Sequence, residues 1–139
     1  MIRLRSAFTL VEILIVVVIL GILASIVVPQ FSKAVQDSSE TATFDQLGKV
    51  RRAVSYYYAV NTAWPQVTAG DGTWGPLLGS YMRDKPANFW VSGPKSKTIA
   101  IGAIPDSAYQ TDYGWIYDGT TGDVWAGGFD LYDNPLPRP

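Results

Sequence analysis

The sequence predicts an α+β protein, in which one long N-terminal helix, membrane-spanning in its first half, packs against a small C-terminal antiparallel β-sheet head. Three observations predict it. Residues 8–28 are apolar apart from Thr9, Glu12 and Ser25. Phe44, Leu47, Val50, Val54 and Tyr57 recur at three- and four-residue spacing, the mark of an amphipathic helix. Beyond residue 97, short runs rich in β-branched and aromatic residues are separated by Gly and Asp, the pattern of strands and turns.

The apolar run at 8–28 is long enough for a helix to cross a hydrocarbon layer of roughly 30 Å at ~1.5 Å per residue. A buried core helix of that length is rarely apolar on every side. Arg3 and Arg5 precede it, so the positive-inside rule puts residues 1–7 in the cytoplasm and the head across the membrane. A secretory signal peptide cut near Ser25 has a similar start. Its apolar core, however, spans only ~7–15 residues and carries no carboxylate, unlike this run with Glu12. A charge inside a span costs ~2.5–3.5 kcal/mol at the centre and less near an end, so Glu12 calls for a partner and a task.

Ala7, then Phe8-Thr9-Leu10-Val11-Glu12 opening an apolar helix, with Gly21 and Pro29 further on, closely resembles the N-terminus of type IV prepilins and type II secretion pseudopilins. Ala7 stands where these families usually carry Gly, and is the next smallest residue. The resemblance implies a leader at 1–7, cut between Ala7 and Phe8 by a prepilin peptidase that also N-methylates Phe8. Glu12 lies one helical turn from the Phe8 amine, so the two could meet within one chain; the resemblance implies instead that Glu12 pairs with the Phe8 amine of a neighbouring subunit as a membrane assembly machinery builds a helical filament. The chain would then be a single-pass inner-membrane protein with a periplasmic head, found after assembly in a periplasmic or cell-surface filament beside copies of itself and related pilins.

Gly21 and Pro29 are the weak points of the first half. Gly lowers helix propensity by ~1 kcal/mol against Ala, and Pro29 lacks an N–H and crowds the carbonyl four residues back. A curve or kink is expected, not a stop, because the helical pattern resumes over residues 29–60 and ends near Asn61. Tyr56, Tyr57 and Tyr58 are consecutive and cannot share a face, so at least one meets a loop or another subunit.

Residues 61–139 make the head, a loop-rich stretch and then a sheet. Pro65, Gly70, Gly72, Gly75-Pro76, Gly79, Pro86 and Gly93-Pro94 punctuate the loop, within which residues 77–82 suit a short helical turn. Leu78-x-x-Tyr81-Met82 followed by Lys85-Pro86-Ala87-Asn88 resembles the connecting loop of small pseudopilins. Trp64, Trp74 and Trp90 are expected to lid the core rather than to bind sugar. Residues 98–101, 113–117 and 124–126 read as strands, the last two joined by a hairpin at 118–123, and residues 130–139 as an irregular cap.

Composition removes several functions. With no Cys and no His, disulfides, thiolate zinc sites and Ser-His-Asp catalysis are excluded. No enzyme is expected, and the net charge of −1 gives no general attraction to nucleic acid. Charge is unevenly spread: Lys49, Arg51 and Arg52 cluster, whereas residues 98–139 hold six Asp and one base, Arg138. Such patches could align neighbours or simply be solvated. The resemblance to major pseudopilins implies calcium, for which Asp118, Asp123, Asp130 and Asp133 offer hard oxygens. Their spacing is not that of an EF-hand, and turn chemistry explains Asp beside Gly equally well. The alternative function is a membrane-tethered periplasmic binding module whose Trp-rich loop holds sugar or peptide, for which Glu12 would have no use.

Overall fold

The structure is a computed structural model that describes residues 8–70 and 74–139. Leader residues 1–7, with Arg3, Arg5 and Ala7, lie outside the described residues, as does Gly72. Helix α1 (Leu10–Asn61) is followed by a 3-10 turn (Gly75–Leu77) and strands β1 (Ile99–Ile101), β2 (Trp115–Tyr117) and β3 (Val124–Ala126). Contacts within the chain divide it into two compact units, one ending at Gln36 and one starting at Asp37.

From Leu10 on, the first unit is helix. Its Ile- and Val-rich sequence is only a moderate helix former in water. In hydrocarbon the helix is favoured all the same, because it satisfies every backbone polar group within one segment. α1 runs through Gly21 and Pro29 without a break, and no apolar side chain from Leu10 to Val28 is buried by the chain itself. It is long and apolar enough, by length and composition, to cross a membrane.

The second unit carries the core. Thr43, Leu47, Val50, Ala53 and Val54 form the buried face of α1, close to the stripe the spacing predicts. The stripe frays at its ends, since Phe44 is 37% exposed and Tyr57 only partly covered. Facing it are Trp74, Leu77, Trp90, Ile99, Trp115, Tyr117, Val124, Ala126 and Phe129. Each such large side chain contributes about 1.5–3 kcal/mol on burial. α1 ends where Asn61 Nδ2 donates to the Tyr57 carbonyl at 2.9 Å and Thr62, at φ 52°, turns the chain away.

The sheet is mixed, with order β1-β2-β3. β2 and β3 are antiparallel, as the hairpin signal predicts, with Ile116 opposite Trp125. β1 instead pairs with β2 in parallel, Ala100 opposite Ile116, which corrects the expectation of an all-antiparallel sheet. The reason is the connection at 102–114, which meets the dozen or so residues that a crossover needs. It returns beside its own start, so that Gly114 N and Trp115 N both donate to Thr98 O at 3.0 Å. The helical turn also begins earlier than expected, at Gly75–Leu77, and is extended by Tyr81 and Met82 N–H groups donating to Leu77 O.

Candidate functional site

The first residues of α1 build a site from two side chains. Thr9 is the residue before the helix and Glu12 is the third residue inside it. Thr9 Oγ1 accepts from Glu12 N at 3.2 Å, and Glu12 Oε2 accepts from Thr9 N at 2.8 Å and Thr9 Oγ1 at 2.9 Å. This reciprocal pairing satisfies helix donors that otherwise have no partner, and it fixes where the helix starts. The Thr-x-x-Glu spacing signals it in the sequence, whereas the expectation for Glu12 concerns the Phe8 amine, of its own chain or of a neighbour, and not Thr9. Glu12 Oε1 makes no hydrogen bond among the described residues, and Phe8 is 81% exposed. One oxygen therefore holds its own helix while the other is left without a hydrogen bond among the described residues.

The Asp-rich end of the head is organised by local hydrogen bonds. Asp118 Oδ1 accepts from Thr120 N at 2.8 Å, and that bond holds its carboxyl below the usual range. Asp123 Oδ2 accepts from Thr121 Oγ1 at 2.7 Å. Main-chain bonds from Asp118 N to Asp123 O and from Gly122 N to Asp118 O close the hairpin. Gly122, at φ +79°, is required there: a Cβ would lie 2.2 Å from the Trp64 ring, which itself stacks on Tyr58 at 4.0 Å. Asp130 caps a second turn, its carboxyl lowered chiefly by the Asn134 N–H. Asp133 is held by Arg51, which also donates to the Val124 carbonyl. Among the described residues no three or more of His, Cys, Asp and Glu converge.

The indole rings expected to lid the core do so. Trp74 and Trp90 are 0% and 5% exposed, and Trp64 packs at the edge of the cluster. Tyr56 and Tyr57 both meet Tyr81, with ring centroids 5.6 and 5.4 Å away. A buried polar centre joins distant segments. Asn88, fully buried, donates through Nδ2 to the Gly114 and Gly127 carbonyls at 2.8 Å each. Its Oδ1 accepts from Trp90 N at 2.8 Å and Val91 N at 3.0 Å, with Thr43 Oγ1 at 3.3 Å. Nothing in an Asn after Pro-Ala in a loop announces this. Arg138 closes the tail, its guanidinium 4.0 Å over the Trp90 ring while Nη2 donates to Trp90 O at 2.6 Å.

An apolar membrane-length helix, opened by a self-capped carboxylate and followed by a small sheet head, defines the pilin-like class of subunit. The family described as "Prokaryotic N-terminal methylation motif" matches residues 2–28. Type II secretion system core protein G of Pseudomonas aeruginosa is 31% identical over 132 residues, 94% of this chain and 82% of that protein. The fimbrial protein EcpC of Eikenella corrodens is 35% identical over 80 residues, and this chain spans about half its length, 52%. The type IV major fimbrial protein FimA of Dichelobacter nodosus is 39% identical over 51 residues, 37% of this chain and 33% of that one. No solved structure matches significantly. The chain belongs to the family of type IV pilins and type II secretion pseudopilins.

Proposed function

We propose that this chain is the structural subunit of a type II secretion-type pseudopilus. The observation that carries the reading is the similarity to core protein G along 94% of the chain, head included, where the FimA match covers 37%. In this reading residues 1–7 are removed between Ala7 and Phe8 by the prepilin peptidase, Phe8 is methylated, and the subunit waits in the inner membrane with its head in the periplasm. Residues 8–28 then pack against those of other copies. The other oxygen of Glu12 takes the Phe8 amine of a neighbour, a pair that sets register because leaving either charge unpaired in the bundle costs several kcal/mol. Gly21 and Pro29 mark where the backbone yields as subunits pack. Arrangement as a tethered sugar- or peptide-binding module has little support, since two of the three loop Trp residues are buried.

The test is Glu12→Val in cells. Removing one partner of a buried ion pair typically costs ~3–5 kcal/mol, so filament yield by electron microscopy should collapse while the amount of subunit in the membrane stays level or rises. Normal filaments at normal subunit levels would defeat the reading.

A further inference from the structure

The two flanks of α1 within the head differ in charge. At ~100° per residue, Lys49, Arg52 and Tyr56 project from one flank and Arg51 from the other. The first flank borders an open groove of about 1140 Å³ between α1 and residues 80–86. Ala53, Tyr56 and Met82 give it apolar walls, and its basic residues are Lys49, Arg51, Arg52 and Arg83 against one acid, Asp84. Lys49 is paired with Asp45 at 3.2 Å; among the described residues Arg52 and Arg83 have no ion-pair partner. On the opposite flank Arg51 is paired with Asp133, next to the hairpin that carries Asp123. From this flank projects the turn Asp130-Leu131-Tyr132, whose Leu131 is 61% and Tyr132 81% exposed. The turn is held in shape from within, by Asp130 accepting from Tyr132 N and Asn134 N at 2.8 Å each.

We propose that the groove receives the Asp130-Leu131-Tyr132 turn of a second copy of this chain. The match is chemical on both counts. Leu131 and Tyr132 are uncovered side chains that suit the groove's apolar walls, and Asp130 beside them brings a negative charge to Arg52 and Arg83, Asp133 being already held by Arg51. A rigid turn loses little conformational entropy on docking, and a Tyr anchor supplies large contact area with few rotatable bonds. Because giver and receiver are different parts of the head, the contact is head-to-tail and leaves a bound pair with one groove and one turn still open. The proposal rests on the filament reading only for the supply of neighbouring copies.

The absence of Cys makes cross-linking clean. Ser80→Cys beside the groove and Leu131→Cys in the turn, combined in one full-length chain and oxidised in cells, should give a ladder of covalent multimers on non-reducing gels. The two single variants co-expressed should give dimers and nothing longer, and either alone should give none. Adding Tyr132→Ala or Arg83→Glu, both at exposed positions, should reduce the ladder at least about tenfold without changing subunit levels. Filaments at normal yield with no ladder would overturn the docking and leave the filament reading intact. A ladder without filaments would do the reverse, and the absence of both would overturn both. Capture by Ser80→Cys alone of a protein of different mass would overturn a second copy as the occupant.

Discussion

Arg51 holds Asp133 through two parallel hydrogen bonds, Nη1 to Oδ2 at 2.6 Å and Nη2 to Oδ1 at 2.9 Å. Its Nε and Nη2 also donate to the Val124 carbonyl at 3.0 and 2.8 Å. One side chain thus ties α1 to the outer strand of the sheet and to the turn beyond it.

Arg51→Lys should therefore behave as a real loss despite keeping the charge, since an ammonium cannot reproduce the planar fork. The site is partly solvated, so the expected effect is about 1–2 kcal/mol. Thermal unfolding of the full chain in detergent, followed by Trp fluorescence, reports the head because all five Trp lie there. An unchanged midpoint would mean that the ion pair is incidental.

Asn88→Asp keeps size and shape but turns a donor into an acceptor facing two carbonyls. Each buried polar group left without a partner costs about 1–3 kcal/mol; here Gly127 O loses its side-chain donor, Gly114 O keeps only the Gly127 N–H, and a carboxyl oxygen is set against both. We expect a loss of about 3 kcal/mol or more, or failure to accumulate. A midpoint within a degree or two of the parent would show that water replaces the amide readily.

Two tyrosines set an alkaline limit. Burial first, and then the bond to Asp106, push Tyr113 up to about 12; burial likewise pushes Tyr117 to about 12. The folded head thus keeps protons that the unfolded chain releases near its ordinary pKa of ~10. A raised folded pKa adds stability that is fully present below pH ~10 and lost as pH rises through about 12. Tyr113→Phe should flatten this decline in denaturant midpoints measured between pH 9 and 12. A decline equally steep in the variant would assign it to other groups.

Processing is read directly by mass. Subunit from membranes should begin at Phe8 and carry one added methyl on its amine. A retained Met1, or a start near Ser25, would remove the basis for pairing between Phe8 and Glu12.

Much of this was legible in the chain. The apolar run, the α1 stripe and the Asp118–Asp123 hairpin each depend on neighbours a few residues apart, and periodicity reports such neighbours well. What escaped depends on distance or on a second use of one residue. β1 looks the same in sequence whether its partner runs parallel or antiparallel, because the crossover alone decides. Arg51 and Asp133 lie 82 positions apart. Asn88 works through main-chain groups, which leave no imprint on residue type. Glu12 stands out in the sequence as a charge in an apolar run, which masks its second use as the partner of Thr9.

The Asn88 centre also constrains the order of folding. Its partners belong to segments near Thr43, Trp90, Gly114 and Gly127, so no short stretch of chain can complete it. The entropy of closing those loops has to be met before the hydrogen bonds return anything. α1 can form early and alone, but the head gains its polar centre only when the β2–β3 hairpin arrives. A nascent or threaded chain that stops short of Gly127 has helix without head, and the last step should be slow and all-or-none.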